Sequence, residues 1–107
     1  MKIVDHFING KNAEIPNLLS TPIYNPASGE EISRVVSGTA NCVNEAVKSS
    51  LNAFPEWSSL TPLARSRKMF KLKEIIEFRQ NELAKLISQE HGKTFDDALG
   101  EIGRGLE

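Results

Sequence analysis

The sequence predicts an α+β fold, with two short β-hairpins in residues 1–38 packed on two or three amphipathic helices in residues 39–107. Two observations predict this division. Turn-forming dipeptides are concentrated in the first part, where they separate short stretches of apolar or β-branched residues. In the second part, apolar residues recur with the 3.6-residue period of a helix and follow threonines that can cap helix N-termini.

Both hairpins are predicted from their turns. Asn9 and Gly10 tolerate positive φ angles, which a two-residue type I′ turn requires, so this dipeptide joins the strands of the first hairpin. The second hairpin pairs residues 23–25 with residues 32–36 across a loop that contains proline, serine and glycine. Because small hairpins are only marginally stable alone, both need a partner that covers one face.

The first helix is expected to begin after Thr39, whose hydroxyl can accept a hydrogen bond from the first helical turn. Pro55 is expected to end this helix at Phe54, because the residue before a proline is disfavoured in the helical conformation. The apolar side of the helix consists of Val43, Ala46, Val47, Leu51 and Phe54.

A second helix is expected to start at Thr61, which is followed by a proline at the first helical position. Its apolar stripe runs to Glu90, with an interruption near Gln80 left open, and Gly92 closes it in the left-handed conformation. A third helix begins in residues 94–97, where two aspartates complement the positive end of the helix dipole, and continues to the last residue.

Composition and charge exclude several classes of protein. The chain has 107 residues with 13 Lys+Arg and 14 Asp+Glu. It therefore lacks the excess of basic residues that is typical of proteins that bind nucleic acids. No apolar run approaches the roughly 18 residues of a membrane span, and no secretion leader is recognisable. Cys42, the single cysteine, cannot form an internal disulfide. We therefore expect a cytoplasmic protein, or a mitochondrial matrix protein in a eukaryote, that binds neither nucleic acid nor membranes.

The first candidate for chemistry is Cys42, because a thiolate can attack a carbonyl carbon. It falls in a first helical turn with no histidine near it in sequence, so a partly buried, unreactive cysteine is the favoured interpretation. His6 and His91 have no further ligands at metal-binding spacing, and no metal site is predicted. The basic residues between positions 65 and 73 could contact phosphates, but they scatter around their helix, which favours a solvated face.

Near the C-terminus, three glycines surround an arginine. Gly100, Gly103 and Gly105 match neither common phosphate-binding spacing, and close approach of another backbone explains them better than a phosphate cradle. The Arg104 guanidinium could bind a carboxylate in fork geometry. From spacing alone, an exposed arginine that complements the negative end of the helix dipole is the favoured interpretation.

Five segments of the sequence, in this order, carry a family resemblance: Phe7–Gly10, Tyr24–Glu30, Ala53–Ser58, Glu90–Thr94 and Asp97–Glu107. The first four resemble the opening of the NAD(P)-dependent aldehyde dehydrogenases, and the resemblance covers the chain from about Phe7 onwards. Three segments, Met69–Lys71, His91–Thr94 and above all Asp97–Glu107, resemble the CoA-acylating branch typified by methylmalonate-semialdehyde dehydrogenase.

The resemblance implies a cysteine enzyme. Such an enzyme captures the aldehyde as a thiohemiacetal, passes hydride to NAD and holds a thioester that coenzyme A attacks. In this branch the substrates are malonate or methylmalonate semialdehyde, which lose their carboxyl group to give acetyl-CoA or propionyl-CoA. Residues 1–107 would then form the leading segment of the cofactor-binding domain, without a complete Rossmann unit.

Arg104 is the one residue to which the resemblance assigns a site role, that of binding the substrate carboxylate. The family's catalytic residues have no counterpart here, so we expect the chain alone to be inactive and to bind neither NAD nor coenzyme A. Its partners would be the rest of a dehydrogenase polypeptide, or a second copy, through apolar helix faces. Two alternatives remain open: a catalytically dead interaction domain or truncated gene product, and a segment of a non-acylating aldehyde dehydrogenase.

Overall fold

The computed structural model describes residues 2–13 and 19–107. The predicted α+β class is confirmed in these residues, which form five strands and four helices. The strands are β1 (Lys2–Val4), β2 (His6–Ile8), β3 (Lys11–Ala13), β4 (Ser20–Tyr24) and β5 (Glu31–Val36). The helices are α1 (Ala40–Ser59), α2 (Pro62–Phe78), α3 (Gln80–His91) and α4 (Phe95–Leu106).

The described residues divide into two compact units. Unit 1 contains the residues up to Ile23 together with Glu31–Leu60, and therefore most of the strands and α1. Unit 2 contains Tyr24–Glu30 and Thr61–Glu107, and therefore α2, α3 and α4. The strands end at Val36 and the helices begin at Ala40, in line with the predicted change from hairpins to helices after residue 38, and α1 lies in the same compact unit as most of the strands.

The first predicted hairpin is confirmed in unit 1. Strands β2 and β3 pair antiparallel, with Phe7 opposite Asn12. Asn9 and Gly10 connect them with φ angles of 55° and 74°, the positive values that a type I′ turn requires. The turn residues alone therefore specified this hairpin and its register.

The second predicted hairpin is part of a three-stranded sheet in the order β1-β5-β4. Strand β1 pairs parallel with β5, with Ile3 opposite Arg34, and this pairing was not predicted. The Arg34 guanidinium links β5 to β4: its Nε donates to the Ser20 hydroxyl at 2.9 Å, and Nη2 donates to the Ser20 carbonyl at 3.1 Å. Nη1 also donates to Glu31 Oε1 at 2.8 Å. One charged side chain thus adds two hydrogen bonds between neighbouring strands.

The prediction that Pro55 ends the first helix at Phe54 was wrong, because α1 continues to Ser59. A proline inside a helix removes one backbone hydrogen bond and crowds the preceding turn, but its own φ is helical. Helical geometry therefore resumes for one further turn, in which the Ser58 hydroxyl donates to the Pro55 carbonyl at 3.2 Å. At the other end, Thr39 accepts from the Cys42 N–H at 3.4 Å, as predicted for an N-cap.

In unit 2 the predicted interruption of the long helix is confirmed at Arg79, which separates α2 from α3 at φ −100° and ψ 10°. Thr61 and Thr94 cap α2 and α4 through their side chains, as predicted. Helices α3 and α4 form the main helix–helix contact of the unit. Its core consists of Ala84, Ala98 and Ile102, flanked by Ile76, Leu83, Ile87, Leu99 and Leu106.

The turn between α3 and α4 is held by three contacts. Gly92 adopts the left-handed conformation at φ 84°, as predicted, and its N–H donates to the Ser88 carbonyl at 2.9 Å. The Ser88 hydroxyl in turn donates to the Lys93 carbonyl at 2.7 Å. Pro26 lies so close that a Cβ added at Gly92 would be 2.8 Å from its Cγ. The glycine is therefore required both for its φ angle and for the space it leaves.

We expect Gly92→Ala to lower the free energy of unfolding of unit 2 by about 2–4 kcal/mol, because it adds left-handed strain and a clash with Pro26. Gly29→Ala is the matched control in the same unit: Gly29 has φ 74°, but no atom of the described residues lies near its added Cβ, so only about 1 kcal/mol should be lost. Urea denaturation followed by circular dichroism measures both. Equal losses would show that Pro26 does not restrict the turn.

Candidate substrate-binding surface on helix α4

Local sequence explains why helix α4 forms where it does. Thr94 Oγ1 accepts from the Asp97 N–H at 3.2 Å, which satisfies one free donor of the first turn. Asp96 and Asp97 complement the positive end of the helix dipole, and Arg104 complements the negative end in the last turn. These contributions offset the three glycines, each of which weakens a helix by roughly 1 kcal/mol.

Helix α4 has one buried face and one exposed face. Ala98 and Ile102, one turn apart, are buried in the core of unit 2. Gly100, Gly103 and Arg104 are exposed. The structure therefore places the predicted site residue on the accessible side of a helix whose other side is held by packing.

The surroundings of Arg104 are open. Its Nη1 lies 3.8 Å from the position that a Cβ on Gly100 would take, so the guanidinium extends back over the preceding turn. A Cβ added at Gly103 or Gly105 would meet no atom within 4 Å, so the expected close approach of another backbone to these glycines is wrong within the described residues. Across residues 2–13 and 19–107, no carboxylate lies within ion-pair distance of Arg104.

An ion pair that sequence analysis missed lies beside Arg104. Lys93 Nζ contacts Glu101 Oε1 at 2.7 Å, and the two side chains are 20% and 40% exposed. The hydrogen bond from Lys93 is the main reason that the pKa of the Glu101 carboxyl is lowered from its ordinary value, and the charges of Lys93, Arg104 and His91 lower it further. Eight residues along one helix span about 12 Å, too far for an ion pair, so the turn between α3 and α4 is what brings Lys93 and Glu101 together.

A separate open groove of about 310 Å³ lies elsewhere in unit 2. The residues that line it are Asn25, Ala27, Lys85, Ser88, Gln89, Gly92 and Phe95. Arg104 is not among them, so the structure does not bring the predicted site residue into this groove.

Cys42 is buried at 6% exposure, which agrees with the favoured interpretation of this cysteine. Its Sγ lies 3.3 Å from Thr39 Oγ1, and this hydrogen bond is the largest of the effects that lower the pKa of the thiol. The fold also brings His6 near it: a Cβ added at Gly38 would lie 3.4 Å from His6 Cε1 and 3.9 Å from Cys42 Cβ. Sequence spacing could not show this, because His6 lies on β2 and Cys42 near the start of α1.

Basic residues between positions 65 and 73 of α2 form exposed ion pairs with glutamates of the same helix. This agrees with the solvated face that their scatter around the helix indicated. Lys71 Nζ lies 2.8 Å from Glu74 Oε2, and Lys73 pairs with Glu77. Within the described ranges, no group of three or more His, Cys, Asp or Glu side chains is arranged to hold a metal ion. In the same residues, no helix is long and apolar enough to cross a membrane.

The glycines and the N-terminus of α4 do not form a phosphate-binding site for a dinucleotide or coenzyme A. Gly100, Gly103 and Gly105 lie inside α4, where backbone N–H groups are used by the helix and cannot cradle a phosphate. The N-terminus of α4 carries Asp96 and Asp97, which repel anions.

Comparison with known proteins identifies the family. Residues 16–107 match the model of the aldehyde dehydrogenase family. The chain belongs to the aldehyde dehydrogenase family. A malonate-semialdehyde dehydrogenase of Pseudomonas aeruginosa is 36% identical over all 107 residues, which correspond to 21% of that protein.

Two crystal structures support the same assignment at the level of the fold. A methylmalonate-semialdehyde dehydrogenase from Oceanimonas doudoroffii matches with a TM-score of 0.95 and 37% identity, over 99% of this chain and 22% of that one. A Sinorhizobium meliloti protein described as a methylmalonate-semialdehyde dehydrogenase, in complex with NAD, matches with a TM-score of 0.95 and 39% identity over the same shares. This member of the aldehyde dehydrogenase family thus spans about a fifth of the length of its relatives.

We expect Lys93→Met to raise the pKa of Glu101 part of the way towards its ordinary value of 4.5, because the main stabiliser of the carboxylate is lost while the charges of Arg104 and His91 remain. Since the folded pKa is lowered, the pair stabilises the fold above the unfolded pKa, and this contribution disappears as the pH falls through the folded pKa. Titration of the side-chain carboxyl signals by NMR measures the shift. Glu74, whose pKa is lowered by Lys71, is the internal control and should not move.

Proposed function

We propose that this aldehyde dehydrogenase segment belongs to a CoA-acylating malonate- or methylmalonate-semialdehyde dehydrogenase, in which Arg104 binds the carboxylate of the substrate. The observation that carries the proposal is the Arg104 guanidinium, which is exposed on α4 and has no carboxylate partner among the described residues. The names of the relatives that match the whole chain support the choice of substrate class.

The chemistry of the side chain suits the role. A guanidinium offers paired N–H donors in a fixed plane, and a carboxylate accepts them in a bidentate arrangement. The bare surface at Gly103 and Gly105 leaves both flanks of Arg104 accessible to a small anion. A carboxylated aldehyde differs from a simple aldehyde in the group that this residue recognises, so Arg104 would act on specificity.

The bond-making groups of the proposed enzyme would lie in polypeptide outside these 107 residues, in keeping with the four-fifths of each relative that the chain does not span. When bound to such an enzyme, NAD takes up the hydride and coenzyme A takes up the acyl group. The contribution of this segment is to hold α4 in place and to present Arg104.

The exposed apolar side chains suit a segment that packs against more protein. On α1 and α2 these side chains are Val43, Val47, Leu51, Phe54, Trp57, Leu63, Met69, Phe70, Leu72, Ile75 and Phe78. Phe78 is 91% exposed, which is unusual for a large aromatic residue. The rest of the dehydrogenase polypeptide is the proposed partner of these faces, and a second copy of the chain is the alternative.

In the complete dehydrogenase, we expect Arg104→Ala to raise the KM for malonate semialdehyde about 10- to 100-fold, the range that follows from losing a charged hydrogen-bonded pair. The KM for propanal, which lacks the carboxylate, should change less than twofold. Arg104→Lys should give an intermediate value for malonate semialdehyde, because it keeps the charge and loses the fork geometry. Steady-state assays of NADH formation measure all three, and equal effects on both aldehydes would overturn the assignment.

We expect the purified 107-residue chain to form no NADH from malonate semialdehyde with NAD and coenzyme A, since neither its buried Cys42 nor its exposed Arg104 can supply the acyl transfer. CoA-dependent NADH formation by this chain would contradict the proposal. A stand-alone interaction domain, which the exposed apolar side chains also favour, would be inactive too. The nucleotide sequence after the codon for Glu107 separates the two, because a stop codon there favours the interaction domain.

A further inference from the structure

Two oppositely charged residues of α4 are spaced to pair but do not. Glu101 and Arg104 are three positions apart, which places them side by side on a helix surface and usually favours an ion pair. Glu101 instead contacts Lys93 at 2.7 Å, while the Arg104 guanidinium extends over Gly100. The partner of Glu101 is therefore supplied by the turn before the helix.

Lys93 is well placed to remain ion-paired with Glu101. Its backbone is held by the Ser88 hydroxyl, which donates to the Lys93 carbonyl at 2.7 Å, and by the left-handed Gly92 before it. Its side chain is 20% exposed, so the aliphatic stem is largely enclosed and the ammonium group has little freedom. A restrained cation competes for Glu101 better than the exposed Arg104, which would lose side-chain entropy on pairing.

We propose that Lys93 is a positioning residue: by holding Glu101, it prevents this carboxylate from neutralising Arg104 and leaves the guanidinium available to a substrate carboxylate. This inference rests on the proposed function of Arg104 and adds a specificity determinant to it. Lys93 acts through Glu101 and does not itself contact the substrate.

Loss of Lys93 would release Glu101 to Arg104, where it would compete with the substrate. An exposed pair three residues apart on a helix is weak, so the competition should raise the KM for a carboxylated aldehyde about two- to fivefold. An aldehyde without a carboxylate does not use Arg104 and should be unaffected.

The test uses the complete dehydrogenase, with malonate semialdehyde and propanal as substrates. Lys93→Met keeps the enclosed stem and removes the charge, and it should raise the KM for malonate semialdehyde about two- to fivefold, with propanal unchanged. The double variant Lys93→Met with Glu101→Gln should return this KM to within about 1.5-fold of the parent enzyme. Lys93→Arg, which keeps a cation for Glu101, should behave like the parent.

Lys71→Met is the matched control, because it removes the same charge and breaks an exposed ion pair of 2.8 Å on α2. It should leave both KM values unchanged. A merely structural role for Lys93 predicts that the double variant, which also lacks the ion pair, stays impaired, and that result would overturn the inference.

An unchanged KM in Lys93→Met would overturn the inference as well. Arg104→Ala distinguishes these failures from failure of the proposed function. If Arg104→Ala raises the KM for malonate semialdehyde selectively and Lys93→Met does not, the role of Lys93 is wrong and that of Arg104 stands. If Arg104→Ala has no selective effect, both proposals fall together.

Discussion

Gly92 reverses the chain between α3 and α4, and it can do so because its backbone lies in the left-handed region at φ 84°. The reversal allows Ala84 of α3 to meet Ala98 and Ile102 of α4, where the small side chains let the helices approach closely. The same turn carries Lys93 to Glu101. The packing of unit 2 and the surroundings of its candidate site both depend on this single backbone conformation.

The packing of α4 has a direct consequence for its exposed side. Because Ala98 and Ile102 anchor one face, the helix backbone that carries Arg104 on the opposite face is held in place despite three glycines. A backbone held in this way suits the role proposed for Arg104, since a binding side chain is positioned best when it is carried by a rigid element. The core residues Ala98 and Ile102 and the candidate site residue Arg104 thus lie on opposite faces of one helix.

Much of the fold could be predicted from the sequence, because its signals are local. The turn at Asn9, the threonine caps and the helix end at Gly92 each depend on residues within a few positions of one another. The prediction for Pro55 was wrong because proline only disfavours a helix. The one backbone hydrogen bond that it removes is tolerated when the other hydrogen bonds of the turn are made. Strand β1 is three residues long, too short for any alternation to show.

The same distinction between local and tertiary signals applies to the candidate site. By itself, the sequence determined where α4 begins, which residues lie on its two faces and that Arg104 belongs to a segment resembling the aldehyde dehydrogenases. Only the tertiary structure decided that Glu101 pairs with Lys93 and that Arg104 stays without a carboxylate among the described residues. Glu101 has two cations within reach along the chain, and the choice between them depends on the path of the turn and on how far each side chain is enclosed. Neither the path of the turn nor the enclosure of a side chain can be obtained from the periodicity or composition of the sequence.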